Sequence, residues 1–235
     1  MKFEHTNVFN IENAIRGMRN PLNSWDKSDS KYGCDALSKW RNCNDCSMKV
    51  CRKTNTIYKI GENDLNLAKR LLKSPEQRKF LRQIFVSIDI TAPLYWWKEM
   101  DTYKIGTTSN STSTMHKLAH TPITIDCFEI DDCDKELPIK YGYVDNEEIF
   151  VPISGLIAFL EQLRLKYNKT KDKKYWKELI RWLPEGWLQT RTWTANYEVL
   201  RNIYNQRKNH KLSEWHTFCD FISTLPYAKE FIIGE

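Results

Sequence analysis

Two stretches of this chain place reactive or ligand-binding side chains at suggestive spacing. The first, residues 101–117, reads DTYKIGTTSNSTSTMHK and holds two Gly/Ser/Thr/Asn-rich blocks that end at His116 and Lys117. Backbone N–H groups and short hydroxyl side chains in such a segment can wrap an anion, or simply bond the turn's own backbone. The second is TRTWTANYEVLRNIYNQRK, which places Asn196 and Arg207 eleven residues apart. At about 100° per residue, eleven residues make roughly three helical turns, so both side chains share one face. Leu200 and Ile203 lie between them on that face. An apolar stripe bracketed by an amide and a guanidinium suggests a ligand contact. It equally suits an arginine that snorkels from the helix end or pairs with an acidic neighbour.

Four of the seven cysteines cluster at Cys34, Cys43, Cys46 and Cys51. The two-residue gap between Cys43 and Cys46 lets both sulfurs reach one tetrahedral ion. The other spacings are irregular, so the cluster reads either as a zinc site or as reduced cysteines in a variable loop. An odd cysteine count with no export signal argues against a disulfide framework.

The 235 residues include 41% hydrophobic and 28% charged side chains, an ordinary globular composition. No apolar run approaches the roughly 20 residues of a membrane helix, and MKFEHTNVFN has no apolar signal core. A soluble cytoplasmic protein is expected. The +6 net charge is compatible with phosphate-bearing ligands or nucleic acid, and also with solubility alone. Nine tryptophans supply core volume and surfaces on which planar rings could stack.

The elements that must position these residues follow from periodicity. Residues 1–30 suggest a short strand, a helical IENAIRGMRN and a polar turn, and about 31–57 looks like a cysteine-rich insertion. GENDLNLAKRLLKS reads as a helix capped by Asn63 or Asp64, with Leu65, Ala68, Leu71 and Leu72 as its stripe. In IFVSIDIT, Ile84, Val86, Ile88 and Ile90 alternate with period two, which predicts a strand. Pro93 then opens a helix, PLYWWKEMD, and ITIDCFEI predicts a second strand. Four helices follow: one with Leu156, Phe159, Leu160 and Leu163 as its stripe, KKYWKELIRWLP, TRTWTANYEVLRNIYNQRK, and LSEWHTFCDFIS capped by Ser213. The expected architecture is one α+β domain, a small mainly antiparallel sheet packed on a helical C-terminal half.

The segment LPEGWLQTRTWTANYEVLRNIYNQRKNHKLSEW resembles the C-terminal motif of flavin-dependent thymidylate synthases. Leu183, Pro184, Thr190, Asn196, Arg207 and His210 fall in the family's order, with His210 one residue early. Residues 92–116 resemble the family's signature: Ala92-Pro93, Lys98-Glu99 for Arg-Gln, Thr102-Tyr103-Lys104 for Arg-His-Arg, and a polar turn from Asn110 to His116. The likeness spans about residues 10–30 and 60–225. Departures are equally clear. The Arg-His-Arg triplet is gone, Ser111 and Met115 replace an acidic residue and an arginine, and an arginine before the Leu-Pro is shifted to Arg181. Lysines at 98, 104 and 117 could restore charge but not fork geometry.

The resemblance implies an enzyme that carries a one-carbon unit from methylene-tetrahydrofolate to C5 of dUMP. FAD would be the cofactor, NADPH the reductant, and the active sites would lie between subunits of a homotetramer. It assigns Arg207 to the uracil edge and Asn196, Tyr103, Lys104 and Asn110 to the flavin. Lys98, Glu99, Ser113, Thr114, His116 and Lys117 fall to the nucleotide, and Arg207 and Ser113 to catalysis. Glu99, where the family has Gln, would repel phosphate. Two other readings stay open: a different pyrimidine-nucleotide modification on the same fold, such as hydroxymethylation, and a non-enzymatic nucleic-acid binder using Lys/Arg, exposed Trp and a zinc loop.

Overall fold

The computed structural model describes residues 1–34, 56–134, 139–144, 147–151 and 153–234. Its framework is a four-stranded, mainly antiparallel sheet. The strands are β1 (Lys2–Phe9), β4 (Phe85–Pro93), β8 (Leu188–Asn196) and β5 (Thr108–Ser111), in the order β1-β4-β8-β5. The period-two reading of β4 holds: Ile84, Val86, Ile88 and Ile90 are buried while Phe85 is exposed. Two hairpins add short antiparallel pairs. One joins β2 (Lys31–Cys34) to β3 (Thr56–Lys59) and zips together the two ends of the cysteine-rich segment. The other, β6 (Ile139–Val144) with β7 (Glu147–Val151), adds to the elements expected above.

Contacts divide the chain into two units, with the cuts falling inside β1, β4 and β8. The first contains residues 1–5, 88–104 and 108–193. It carries α3 (Leu94–Met100), α4 (Ile153–Thr170) and α5 (Lys173–Arg181). Leu118, Ile123, Phe128, Leu160 and Leu179 form its buried cluster, with Leu156 and Leu163 packed against it. Phe159, expected in that stripe, is 46% exposed instead. One residue before Leu160, it stands about 100° off the buried line. Buried Arg164 extends that line one turn beyond Leu160 and is satisfied by Glu161 and the Ala119 carbonyl.

The second unit contains residues 6–87, 105–107 and 194–234 of the described chain. Its helices are α1 (Ile11–Gly17), α2 (Glu62–Leu71), α6 (Tyr197–Arg207) and α7 (Ser213–Ser223), followed by a π-helical turn, Lys229–Ile233. Ile15, Leu81, Leu200, Ile203, Phe218 and Phe231 are shut off from water. Removing such apolar area from water is the main force that fixes these helices.

Several expectations are corrected. Residues 123–130 are not a strand. Cys127 and Phe128 donate their amides to Thr124 and Ile125, the Ile123 amide donates to Glu161, and only Phe128 bridges to Trp187. Residues 190–196 are strand rather than helix. Thr190, Thr192 and Thr194 alternate with Arg191, Trp193 and Ala195, a period-two pattern of β-branched residues that suits a sheet. The polar segment at 108–111 is also a strand, fully exposed, and so invisible to hydrophobic periodicity. α2 begins after Gly61, and Asp29 from outside the helix accepts the Asn63 and Asp64 amides. Asp64 itself is buried, bonded to Arg19, Ser28 and Ser30. Ser213 is the first residue of α7, not its cap.

Candidate functional site

In the second unit, the loop residues Ile105 and Gly106 face the start of α6 across a cavity of about 620 Å³. That is within the range of ordinary ligand sites. Asn196 caps α6: its Oδ1 accepts the Val199 amide at 3.0 Å. That bond fixes the side-chain plane, and Asn196 is itself part of the cavity wall. Gly106 adopts φ +77, and a Cβ there would stand 3.1 Å from Asn196 Nδ2 and 3.2 Å from Val199 Cγ2. A side chain at 106 would therefore close in on the amide, so glycine keeps the recess open.

Charge gathers on the same wall. Arg78, Arg82 and Arg201 line it together with one carboxylate, Glu198. Arg78 forks onto Glu198, with Nε 3.0 Å from both oxygens and Nη2 2.9 Å from Oε1. Arg201 Nη1 donates to the carbonyls of Phe231 and Ile232 at 3.0 and 3.1 Å. Burial, then the like charge of Arg78, push the Arg201 guanidinium below its ordinary value, against the pull of Glu198. Three cations against one anion leave an excess of positive charge that an anionic ligand would relieve. Asn202 and Asn205 add amides to the wall. Of these residues, Asn196 was singled out in the sequence. Arg78 and Glu198 lie 120 positions apart, and no local signal links them.

Arg207 sits at the far end of α6, with its guanidinium 4.6 Å above the Trp215 ring. His210 closes the corner: its amide donates to the Arg207 carbonyl, its Nδ1 accepts the Leu212 amide, and its ring meets Trp215 edge-on. Three residues of the C-terminal motif thus converge, and the indole holds the guanidinium plane by cation–π attraction.

The first unit holds the other sequence-selected residues. Lys98 and Glu99 lie on α3, where Lys98 pairs with Glu185. Tyr103 and Lys104 follow the helix end, half-buried and exposed respectively, and Asn110 is exposed on β5. The Thr112 amide donates to the Thr190 carbonyl and ties the loop to β8. Ser113 Oγ accepts the amides of Met115 and His116 at 3.2 and 2.9 Å. That hydroxyl therefore organises its own turn, with half-buried Thr114 beside it and exposed His116 and Lys117 beyond. Arg191 stiffens the loop base: it bonds Asp101 and Gln189 and lies 4.3 Å over the Trp97 ring. Gln189 in turn donates to the Thr112 carbonyl.

The proposed zinc ligands Cys43, Cys46 and Cys51 lie outside the described residues, and Cys34 is described only as part of the β2 backbone. Among the described residues there is no cluster of His, Cys, Asp and Glu able to hold a metal. No described helix is long and apolar enough to cross a membrane.

No protein-family model and no curated protein matches this sequence. Solved structures do match. The flavin-dependent thymidylate synthase ThyX from Helicobacter pylori, crystallised with FAD and dUMP, aligns with a TM-score of 0.63 at 16% identity over 98% of both chains. A second structure of that enzyme with FAD and dUMP gives 0.63 at 15% identity, covering 99% of this chain and 97% of the other. At that identity the likeness establishes the fold: this chain has the α+β fold of the flavin-dependent thymidylate synthases.

Proposed function

We propose that this chain is a divergent flavin-dependent thymidylate synthase-like enzyme, with FAD as cofactor and dUMP as acceptor of a one-carbon unit from methylene-tetrahydrofolate. NADPH would supply the reducing equivalents, and a homotetramer would assemble the site. The carrying observation is the recess around Asn196: a glycine-walled cavity with a plane-locked amide and three arginines against a single carboxylate. These residues fit FAD. Its diphosphate matches the excess positive charge, and its ring edge offers acceptors for an amide donor.

When bound, the flavin would supply the hydride that completes the one-carbon transfer. This chain's residues would bind and orient. Asn196 would present Nδ2, because its Oδ1 is held by the helix. Arg201 and Arg82 would meet phosphate oxygens while Glu198 keeps Arg78 in place. Arg207, its plane set by Trp215, would direct N–H donors to the uracil edge and stabilise charge that develops on the ring. Tyr103, Lys104 and Asn110 would complete the flavin contacts. Lys98, Thr114, His116 and Lys117 would face the nucleotide, with Ser113 holding the turn that presents them. Glu99 would stand off the phosphate. The cysteines at 34, 43, 46 and 51 would bind a structural zinc.

The test is direct. Protein incubated with dUMP, methylene-tetrahydrofolate, FAD and NADPH should yield dTMP by mass analysis, and Arg207→Ala should abolish dUMP binding without lowering the melting temperature. A hydroxymethylated product would favour the altered-reaction reading. Lost stability with unchanged dUMP affinity would make Arg207 purely structural.

A further inference from the structure

A second basic recess, separate in its residues from the Asn196 cavity, lies along α2 in the same unit. It encloses about 750 Å³, and among the described residues no acidic side chain lines it. Its floor is Arg19, only 5% exposed. Nε of Arg19 donates to Asp64, and Nη1 donates to the Ser24 carbonyl at 3.2 Å. Asp64 is itself fixed by Ser28 and Ser30. Burial would raise that carboxyl, but the serine and arginine hydrogen bonds hold it below its ordinary value, so Asp64 stays charged and Arg19 stays anchored. The guanidinium of this buried residue is thus held through two of its nitrogens and oriented at the base of the recess. Around the rim stand Lys27 from the turn at 25–27, Lys69 and Arg70 from α2, and Lys73 from the turn that follows it, all exposed. An oriented fork at the base with four long cations above it matches a ligand that carries several phosphates in a row. The volume leaves room for a nucleoside beyond the phosphate chain, beside the amides of Asn63 and Asn66.

We propose that this recess binds a nucleoside triphosphate by its phosphate chain, at a site distinct from the flavin cavity and independent of the flavin reading. Calorimetric titration of the intact protein with ATP should show saturable binding, with inorganic tripolyphosphate as competitor. Arg70→Glu/Lys73→Glu, both exposed and so safe for the fold, should weaken it about tenfold or more. Lys166→Glu/Lys169→Glu on α4 makes the same change in net charge and should leave it unaltered, as should Arg82→Glu in the flavin cavity. The proposal falls if ATP does not saturate, if the α4 variant weakens binding equally, or if the loss follows Arg82. A short 5′-phosphorylated single strand that outcompetes ATP would also overturn it in favour of a nucleic-acid strand.

Discussion

The loop at 101–117 and the cavity at the start of α6 both carry short polar residues, yet they use them differently. In the loop, Arg191 and Gln189 hold the base, but the short side chains bond nearby backbone: Ser113 accepts two amides of its own turn, and Thr102 donates to the Glu99 carbonyl. In the cavity, partners come from far along the chain, as with Arg78 and Glu198 or Arg201 and the Phe231 carbonyl. Local bonds shape a turn but leave it exposed and adaptable. Long-range bonds between half-buried charged groups fix orientation and leave charge unbalanced. The contrast teaches that the cavity is preorganised and the loop tip adjustable.

Breaking the long-range fork should give the largest effect. Glu198→Ala removes the carboxylate that Arg78 grips, with both side chains mostly shielded from solvent. Loss of charged hydrogen bonds should cost about 2 kcal/mol, roughly 4–8 °C in melting temperature. A shift indistinguishable from that of an exposed pair such as Lys98–Glu185 would erase the contrast. Gly106→Ala comes next. Strain at positive φ should cost about 1–2 kcal/mol, and the added Cβ should weaken FAD binding by crowding Asn196. Unchanged FAD affinity would show that the recess is not the cofactor site.

Asn196→Ala removes the α6 cap and should cost about 1 kcal/mol. Asn196→Asp sharpens the point, since it keeps the cap but loses the Nδ2 donor: stability should persist while FAD affinity drops. The smallest effect belongs to the loop. Ser113→Ala should change stability by about 0.5 kcal/mol or less, because water can reach the amides it leaves. Thermal melts of the five variants side by side would establish the ranking.

The same division explains what could be read from the sequence. β4 was legible because burial on one face writes a period-two pattern, and Leu200 and Ile203 were legible for the corresponding helical reason. Asn196 was legible as a residue on one face with Arg207 and as a motif residue, but not as the cap it is. β5 was not, because an exposed edge strand is held through its backbone and Thr108–Ser111 bury nothing. β8 was misread because a strand and a helix abut at Asn196, and the helical period of 197–207 was extended backwards over an alternating threonine run. The arginine wall was hidden because Arg78, Arg201 and Glu198 acquire meaning only once the chain brings them together. Arg19 with Asp64, 45 positions apart, was hidden for the same reason.

The central claim is that the Asn196 recess holds FAD, and a FAD titration followed by flavin fluorescence tests it most directly. Without the family's Arg-His-Arg triplet, several fork-shaped donors are missing, each worth about ten- to a hundred-fold in affinity. The account therefore predicts saturable but weak binding. It should loosen as salt rises, fall further in Asn196→Asp and Gly106→Ala, and be little changed in Ser113→Ala. Absence of binding at every salt concentration, even with dUMP present, would contradict it.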